Sequence, residues 1–354
     1  MTVMDALNAE SVLGKFLIAM ESVYGPLSGL DDVGASEWMP PSTPGAGGHR
    51  GRYLWTDAVG VLNFLTLYKE TASLKYLQLA KRLIETTHAI LGWSRNGQRR
   101  LRGATKAKPL KGGLRIGKMT DNGPDGDGQY HHYLTLWMFA LNRMTCATDD
   151  PRYNSLAVEL AKAVHPNFVF RDHANKLRMV WKVSVDMNEI LVPTQGRLDA
   201  ATGYVIYRIL QDTEAMFDRG PMLLEREIED YSVLTADTRE LTPTTDFLDL
   251  GMSLWLCHLI PNEDWASKFA RQALRIAKEL LGKTSAAAKN SSRRLAFREF
   301  GSCLGVKCYD VDEELRNSAE ATIHYWESVV EEEDEDLRPI TQVMYASALI
   351  PGGT

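Results

Sequence analysis

Two kinds of helix alternate along this chain, and that alternation restricts the fold more than any single motif does. Apolar residues recur at three- and four-residue steps in twelve segments, beginning near Ser11, Arg52, Leu74, Gln129, Pro151, Asp199, Met222, Thr245, Glu263, Arg293, Glu313 and Pro339. That spacing is the mark of helices with a packed face. One kind keeps its charges on one side, as in "SLKYLQLAKRLIETTHAIL", "NSLAVELAKAVH" and "DWASKFARQALRIAKELLG". Such a helix has one wet face. The other kind is apolar nearly all round and rich in small residues: "AVGVLNFLTLY", "YLTLWMFALNRM", "GYVIYRIL", "FLDLGMSLWLCHLI", "FGSCLGVKCY" and "VMYASALI". A helix that is apolar on every side is buried on every side. Wet and buried helices alternate six times. The simplest closed packing is an inner ring of six parallel helices inside an outer ring of six antiparallel ones. That is an all-α (α/α)6 barrel, expected here as a single domain over residues 1–354.

Loop lengths agree with this arrangement. Turns from a buried helix to the next wet one are short, such as "TAS" and "TDDP". Connections into the next buried helix are long: Pro26 to Arg50, Gly92 to Gly128, Phe170 to Arg197. In a double ring these long loops all lie at one end, where the inner helices begin, and long loops are where binding and catalysis concentrate. Within the last of them, "KLRMVWKVSVDM" alternates apolar and polar residues and reads as a short strand or hairpin.

Composition narrows the function classes. The formal net charge of −6 gives no electrostatic case for nucleic acid. No stretch is apolar and long enough to span a bilayer. The segment "MTVMDALNAESVLGKFLIAMESVYG" has acids inside its apolar pattern, so it reads as an amphipathic helix and not a signal peptide. Cys146, Cys257, Cys303 and Cys308 form no metal-type spacing and read as free thiols of a cytoplasmic protein. The acidic run from Glu331 to Asp336 reads as a solvated helix end. No phosphate loop, HExxH or GxSxG motif occurs, and no cofactor or metal is expected.

The segments "RYLWTDAVGVLNFLTLYKET" and "GPDGDGQYHHYLTLWMFAL", set in six alternating hairpins, resemble the six-hairpin glycosidase superfamily. That group includes many glycoside hydrolases, the unsaturated glucuronyl hydrolases and, on the same toroid, the N-acylglucosamine 2-epimerases. The resemblance implies the (α/α)6 fold and a carbohydrate-active enzyme. It spans nearly the whole chain but carries over no complete catalytic motif, and a fold alone does not imply a function.

The residues at the starts of the buried helices supply the candidates. The first brings His49, Arg50, Arg52, Tyr53, Trp55 and Asp57. Aromatic faces stack on sugar rings, while Arg and Asp bond carboxylates and hydroxyls. The structural alternative makes Trp55 core and Asp57 a first-turn acid favoured by the helix dipole. The second brings Asp125, Asp127, Gln129, Tyr130, His131 and His132. A carboxylate beside an imidazole forms an acid–base pair. Alternatively, Asp127 is an N-cap, and the two aspartates lack full EF-hand spacing. Adjacent histidines on a helix point about 100° apart, so only one of the two faces the cavity. The third helix brings Arg197, Asp199, Tyr204 and Tyr207, after a loop carrying Trp181 and Lys182, with Asp199 a candidate N-cap. The fourth, "TPTTDFLDLG", has Thr244 or Thr245 as cap, Asp246 in the first turn and Asp249 a turn deeper. The fifth carries Arg298 and Glu299 inside an apolar run, as cavity groups or as an ion pair. The sixth offers Thr341, Gln342 and Tyr345.

The first reading is a glycoside hydrolase with Asp57 and Asp127 as acid and base, and Glu299, Asp199 or Asp246 as substitutes. The second is a sugar epimerase or isomerase in which His131 or His132 moves a proton beside a carbonyl, with His49 as second partner. A terpene cyclase-like barrel and a non-catalytic binding scaffold are further alternatives. The expected ligand is a small molecule or oligosaccharide. The basic long loops allow an anionic one, with Arg52 and Arg298 reaching inside. Trp55, His131, Tyr204, Asp246 and Arg298 are expected around one cavity.

Overall fold

A computed structural model of the chain describes residues 9–121, 123, 125–217, 223–237, 241–286, 294–329 and 335–352. All twelve expected helices occur among them, together with a short thirteenth, Asp32–Glu37, inside the first long loop. Met222 and Arg293, two of the expected starting points, and positions 331–334 of the acidic run lie outside the described residues. No helix among the described residues is long and apolar enough to cross a membrane.

By packing, the chain divides into two compact units. One comprises residues 30–68 and 72–239. It contains α2 (Asp32–Glu37), α3 (Leu54–Thr71, through Tyr68), α4 (Lys75–Leu91), α5 (His131–Thr148), α6 (Pro151–Phe168), α7 (Asp199–Met216) and α8 (Glu225–Asp237). The wet and buried classes are visible directly in the burial. In α3 every residue from Leu54 to Leu67 is buried. In α4 the buried residues recur one turn apart, as Tyr76, Leu79, Ala80, Leu83, Ile84 and Leu91. The short turns close with left-handed residues, Ala72 after α3 and Asp149 after α5. Asp150 then caps α6 by accepting from Arg152 N–H, and Pro151 takes the first turn, where its missing N–H costs nothing. Helix α5 packs on both α6 and α7, and α7 packs on α8. A buried amide network pins three of these helices together: Asn142 Nδ2 donates to Asn154 Oδ1 and to Thr213 Oγ1, both at 2.8 Å, and Asn154 Nδ2 donates to Glu214 Oε1 at 2.9 Å.

Among the described residues, the long loops of this unit carry five short strands. β1 (Gln129–Tyr130), β4 (Lys182–Val183) and β5 (Ile190–Val192) form an antiparallel sheet in the order β1-β4-β5, with Tyr130 opposite Lys182. β2 (Val169–Arg171) and β3 (Leu177–Met179) form a hairpin. The alternating segment from Lys176 to Met187 is therefore two strands serving two sheets. Through the β1–β4 pairing, the first sheet fixes Trp181 and Lys182 beside the start of α5.

The other unit comprises residues 1–29, 69–71 and 240–354. It holds α1 (Val12–Tyr24), α9 (Phe247–His258), α10 (Asp264–Ala286), α11 (Ala296–Lys307), α12 (Glu313–Val329) and α13 (Arg338–Leu349). Here α9 packs on α11, α11 on α13, and α13 on α1. The small residues of the apolar helices explain the closest of these contacts: a Cβ at Gly251 would lie 1.9 Å from the Gly301 carbonyl oxygen, so the α9 and α11 backbones touch. Ser302 Oγ uses that approach to donate to Phe247 O at 2.6 Å.

Candidate functional site

The start of α5 gathers most of the aromatic candidates. Tyr130, His132 and Tyr133 form one cluster with Tyr53 and Trp55 from the start of α3 and Trp181 from the strand loop. His132 packs edge-on to Tyr133 at 4.7 Å between ring centroids and lies 6.2 Å from Trp55. The Tyr53 and Tyr133 hydroxyls share a 2.9 Å hydrogen bond. Burial holds the Tyr53 phenol above its usual range, with the Tyr133 bond opposing it. Trp181 Nε1 donates to Thr194 Oγ1 at 3.1 Å, whereas the Trp55 indole N–H is buried with no hydrogen-bond partner among the described residues. Tyr53, His132, Tyr133 and Trp181 remain half-exposed, so the cluster is partly open to solvent.

The two adjacent histidines separate as helix geometry requires, and the structure shows which is which. The His131 side chain is closed to solvent, its Nε2 lying 2.7 Å from the Tyr231 hydroxyl, while the His132 side chain is 37% exposed. Both reach one carboxylate. Asp199 Oδ1 lies 3.6 Å from His131 Nδ1 and 3.7 Å from His132 Nδ1, and Asp199 Oδ2 accepts from Gly196 N–H at 3.0 Å. Burial opposes the ionisation of Asp199, but the two imidazoles outweigh it and hold the carboxyl well below the usual range. Asp199 is the first residue of α7, with Leu198 at the cap, so it is not the N-cap its position suggested. Nor is it exposed enough to meet a substrate.

The two carboxylates expected to act as acid and base are both tied into the protein. Asp57 is closed to solvent and paired with an equally enclosed Arg52, whose Nη1 lies 3.1 Å from Oδ1. Arg52 also donates to Pro41 O at 2.7 Å, so it cannot be the group that reaches an anionic ligand. Asp127 caps nothing; it organises the loop before α5. Its Oδ1 accepts from the backbone of Gly117 at 2.9 Å, Gly128 at 3.1 Å and Lys118 at 3.3 Å. Its Oδ2 accepts from Arg95 Nη1 at 2.8 Å and Arg115 Nη1 at 2.9 Å. Arg115 in turn reaches His49 Nδ1 at 3.0 Å. Burial, then the Arg115 charge, holds the His49 imidazole below its usual range. Lys182 is enclosed as well. Its Nζ donates to Gly126 O at 2.8 Å and lies 4.9 Å from the Tyr130 ring centroid, and burial, aided by Lys118, brings its ammonium down to about 8.

Two expected binding residues are not among the ring contacts of this cluster. Arg197 is exposed on the loop before α7. Tyr204, one turn into α7, accepts from Arg208 Nη1 at 2.8 Å. Trp55, His131 and Tyr204 fall in this unit, and Asp246 and Arg298 in the other.

In that other unit, Asp246 is itself the cap of α9, accepting from Leu248 and Asp249 N–H at 3.0 and 3.1 Å, while Thr244 Oγ1 accepts from Asp246 N–H. The Thr244 or Thr245 cap and first-turn Asp246 therefore shift by one place. Asp246 Oδ2 pairs with Arg298 Nη1 at 2.5 Å, and the two side chains are 36% and 41% exposed. Glu299 is buried, gripped by Arg294 and by Trp326 Nε1 at 2.9 Å. Its partner is thus Arg294 and not the adjacent Arg298. Tyr345 donates to Glu327 at 2.5 Å.

Sequence reasoning missed Tyr133 and Tyr231. Tyr133 had a signal, since it lies three places after Tyr130 at a helix start, where residues three apart share a face. Tyr231 had none: it sits on an amphipathic helix 100 residues away from His131.

No family profile matches the chain, and no curated protein matches it either. Solved structures do resemble it, two of them as follows. One is a sugar epimerase from a ruminal bacterium, 12% identical over 83% of this chain and 86% of that one, with a TM-score of 0.52. The other is the GH76A α-1,6-mannanase from Salegentibacter sp. HEL1_6, 11% identical over 95% of this chain and 97% of that one, with a TM-score of 0.53. The chain has the all-α, (α/α)6 type of fold that its helix alternation implied.

Proposed function

We propose that the protein is a carbohydrate-active enzyme that moves a proton at a sugar carbon, as an epimerase or isomerase does, with His132 as the transferring group. The observation that carries this reading is the position of His132: a half-exposed imidazole among aromatic rings, with a buried carboxylate 3.7 Å from its Nδ1. The aromatic faces would stack on the C–H faces of a sugar. With its proton on Nδ1, His132 has a lone pair on Nε2 that can take a proton from the carbon beside the carbonyl of the open-chain sugar and return it, on the same face, to the neighbouring carbon of the enediol, the course of an aldose–ketose isomerisation. Asp199 would stabilise the imidazolium that forms, much as the buried aspartate does in a catalytic triad. The half-exposed Tyr53–Tyr133 hydroxyl pair is the nearby donor for sugar oxygens. Arg52 is enclosed, so it would not be the group that meets a charged substituent of the sugar.

Likeness in fold to a sugar epimerase supports this reading. A glycoside hydrolase is the second reading, supported by the likeness to a mannanase over 95% of the chain and by half-exposed Asp246 and Asp249 at the start of α9. The test is to incubate the protein with a panel of aldohexoses and N-acyl hexosamines in D2O, and in parallel with α-mannosides. Deuterium entering the carbon beside the carbonyl, abolished in His132→Ala, is the expected result. Release of free sugar from mannosides, unchanged in His132→Ala and lost in Asp246→Asn, would instead establish the hydrolase.

A further inference from the structure

We propose that His131 and Tyr231 are positioning residues for His132, acting through Asp199. This rests on His132 being the proton-transfer group. Its starting point is that one oxygen, Asp199 Oδ1, lies between two imidazole Nδ1 atoms at 3.6 and 3.7 Å. His131 Nδ1 is buried and, among the described residues, has no hydrogen-bond partner to turn to instead. A neutral imidazole carries one N–H, and the nitrogen that carries it is set by the partner of the other. The ionised carboxylate at Nδ1 selects Nδ1–H toward Asp199, and this leaves Nε2 as the acceptor for the Tyr231 hydroxyl. In that form His131 is neutral. It helps hold the carboxylate in place and leaves its negative charge for His132, which is then also held with its proton on Nδ1.

The surroundings favour this arrangement. Tyr231 belongs to α8, and its ring fills the space over Gly203 of α7, where a Cβ would come within 2.4 Å of it. The hydroxyl is thus placed by helix packing and not by a flexible loop. Beside it, His165 Nε2 pairs with Asp230 Oδ2 at 3.2 Å, so that acid already has a partner other than His131. On the far side of Asp199, Gly196 N–H holds Oδ2. The carboxylate is fixed at one oxygen by backbone and flanked at the other by two rings.

The experiment reads the histidine tautomers directly, by two-bond 15N–1H correlation on the full chain labelled at histidine, at about pH 8.5, roughly two units above the ordinary imidazole pKa. In the wild-type protein His131 and His132 should both carry the proton on Nδ1. Tyr231→Phe and His131→Phe should each lower the Nδ1–H to Nε2–H ratio at His132 about fivefold, the weight of one hydrogen bond. His131→Asn, whose amide N–H stands where Nδ1–H stood, should restore it. A purely structural role for His131 predicts no change at His132 in either Phe variant. That outcome in a natively folded protein overturns the proposal. So does Nε2–H at either histidine in the wild type, a result that needs no variant to fold. Because no substrate enters the measurement, absence of deuterium exchange would dismiss the proposed reaction while leaving this result intact.

Discussion

Replacing Asp127 separates a catalytic acid from a structural one. In Asp127→Ala, the Arg115 guanidinium, only 1% exposed, loses the carboxylate oxygen 2.9 Å away. Removing one partner of a buried pair costs about 3–5 kcal/mol, because the remaining charge stays desolvated. The backbone N–H groups of Gly117, Lys118 and Gly128 lose their acceptor at the same time, which pushes the loss toward the upper end of that range. Burial already holds the Arg115 guanidinium below its usual range, with the Asp127 charge as the main opposing influence, so losing that charge leaves burial unopposed. Set against a typical total of about 5–15 kcal/mol, such a loss is large. Asp127→Asn keeps an acceptor for the backbone but presents an uncharged amide to two arginines, and should lose roughly half as much. Urea unfolding followed by far-UV circular dichroism, with the slope checked for constancy, measures both. If Asp127→Ala unfolds within about 1 kcal/mol of wild type while turnover collapses, the loop-organising role is refuted and Asp127 returns as an acid–base candidate.

Two further predictions come from enclosed ionisable groups. Arg52→Met and Asp57→Leu should each cost about 3–5 kcal/mol alone, and the double variant should cost clearly less than their sum, since it leaves no buried charge; strictly additive losses in a double-mutant cycle would contradict the pairing. The Trp137 indole N–H donates to His88 Nε2 at 3.0 Å, and burial brings that imidazole down to about 4. The unfolded chain then takes up the proton first, so the stability tied to neutral His88 is complete above about pH 6.5 and is lost as the pH falls toward 4, by at most about 3 kcal/mol. His88→Gln, which keeps an acceptor for Trp137 but does not titrate, should flatten the urea midpoint between pH 7 and 4.5; an unchanged slope would show that His88 does not carry it.

The helix inventory was legible in the sequence because periodicity is local. A helix that must bury every side, such as Leu54–Leu67, has no choice but to be apolar throughout, and one with a wet face, such as Lys75–Leu91, shows the turn-by-turn repeat. The polar crowding at the start of α5 was also legible, as was the impossibility of two adjacent histidines facing the same way. Which histidine turns inward was not. That depends on Tyr231 and Phe168, whose rings pack on His131 from α8 and the end of α6, and no local pattern links them. The same holds for the acids. In sequence, Asp57, Asp127 and Glu299 are carboxylates near helix starts and equally suited to chemistry or to ion pairing. The partners Arg52, Arg115 and Arg294 decide for pairing, because a buried carboxylate is tolerable only with its charge answered, and that answer is supplied by three-dimensional proximity alone.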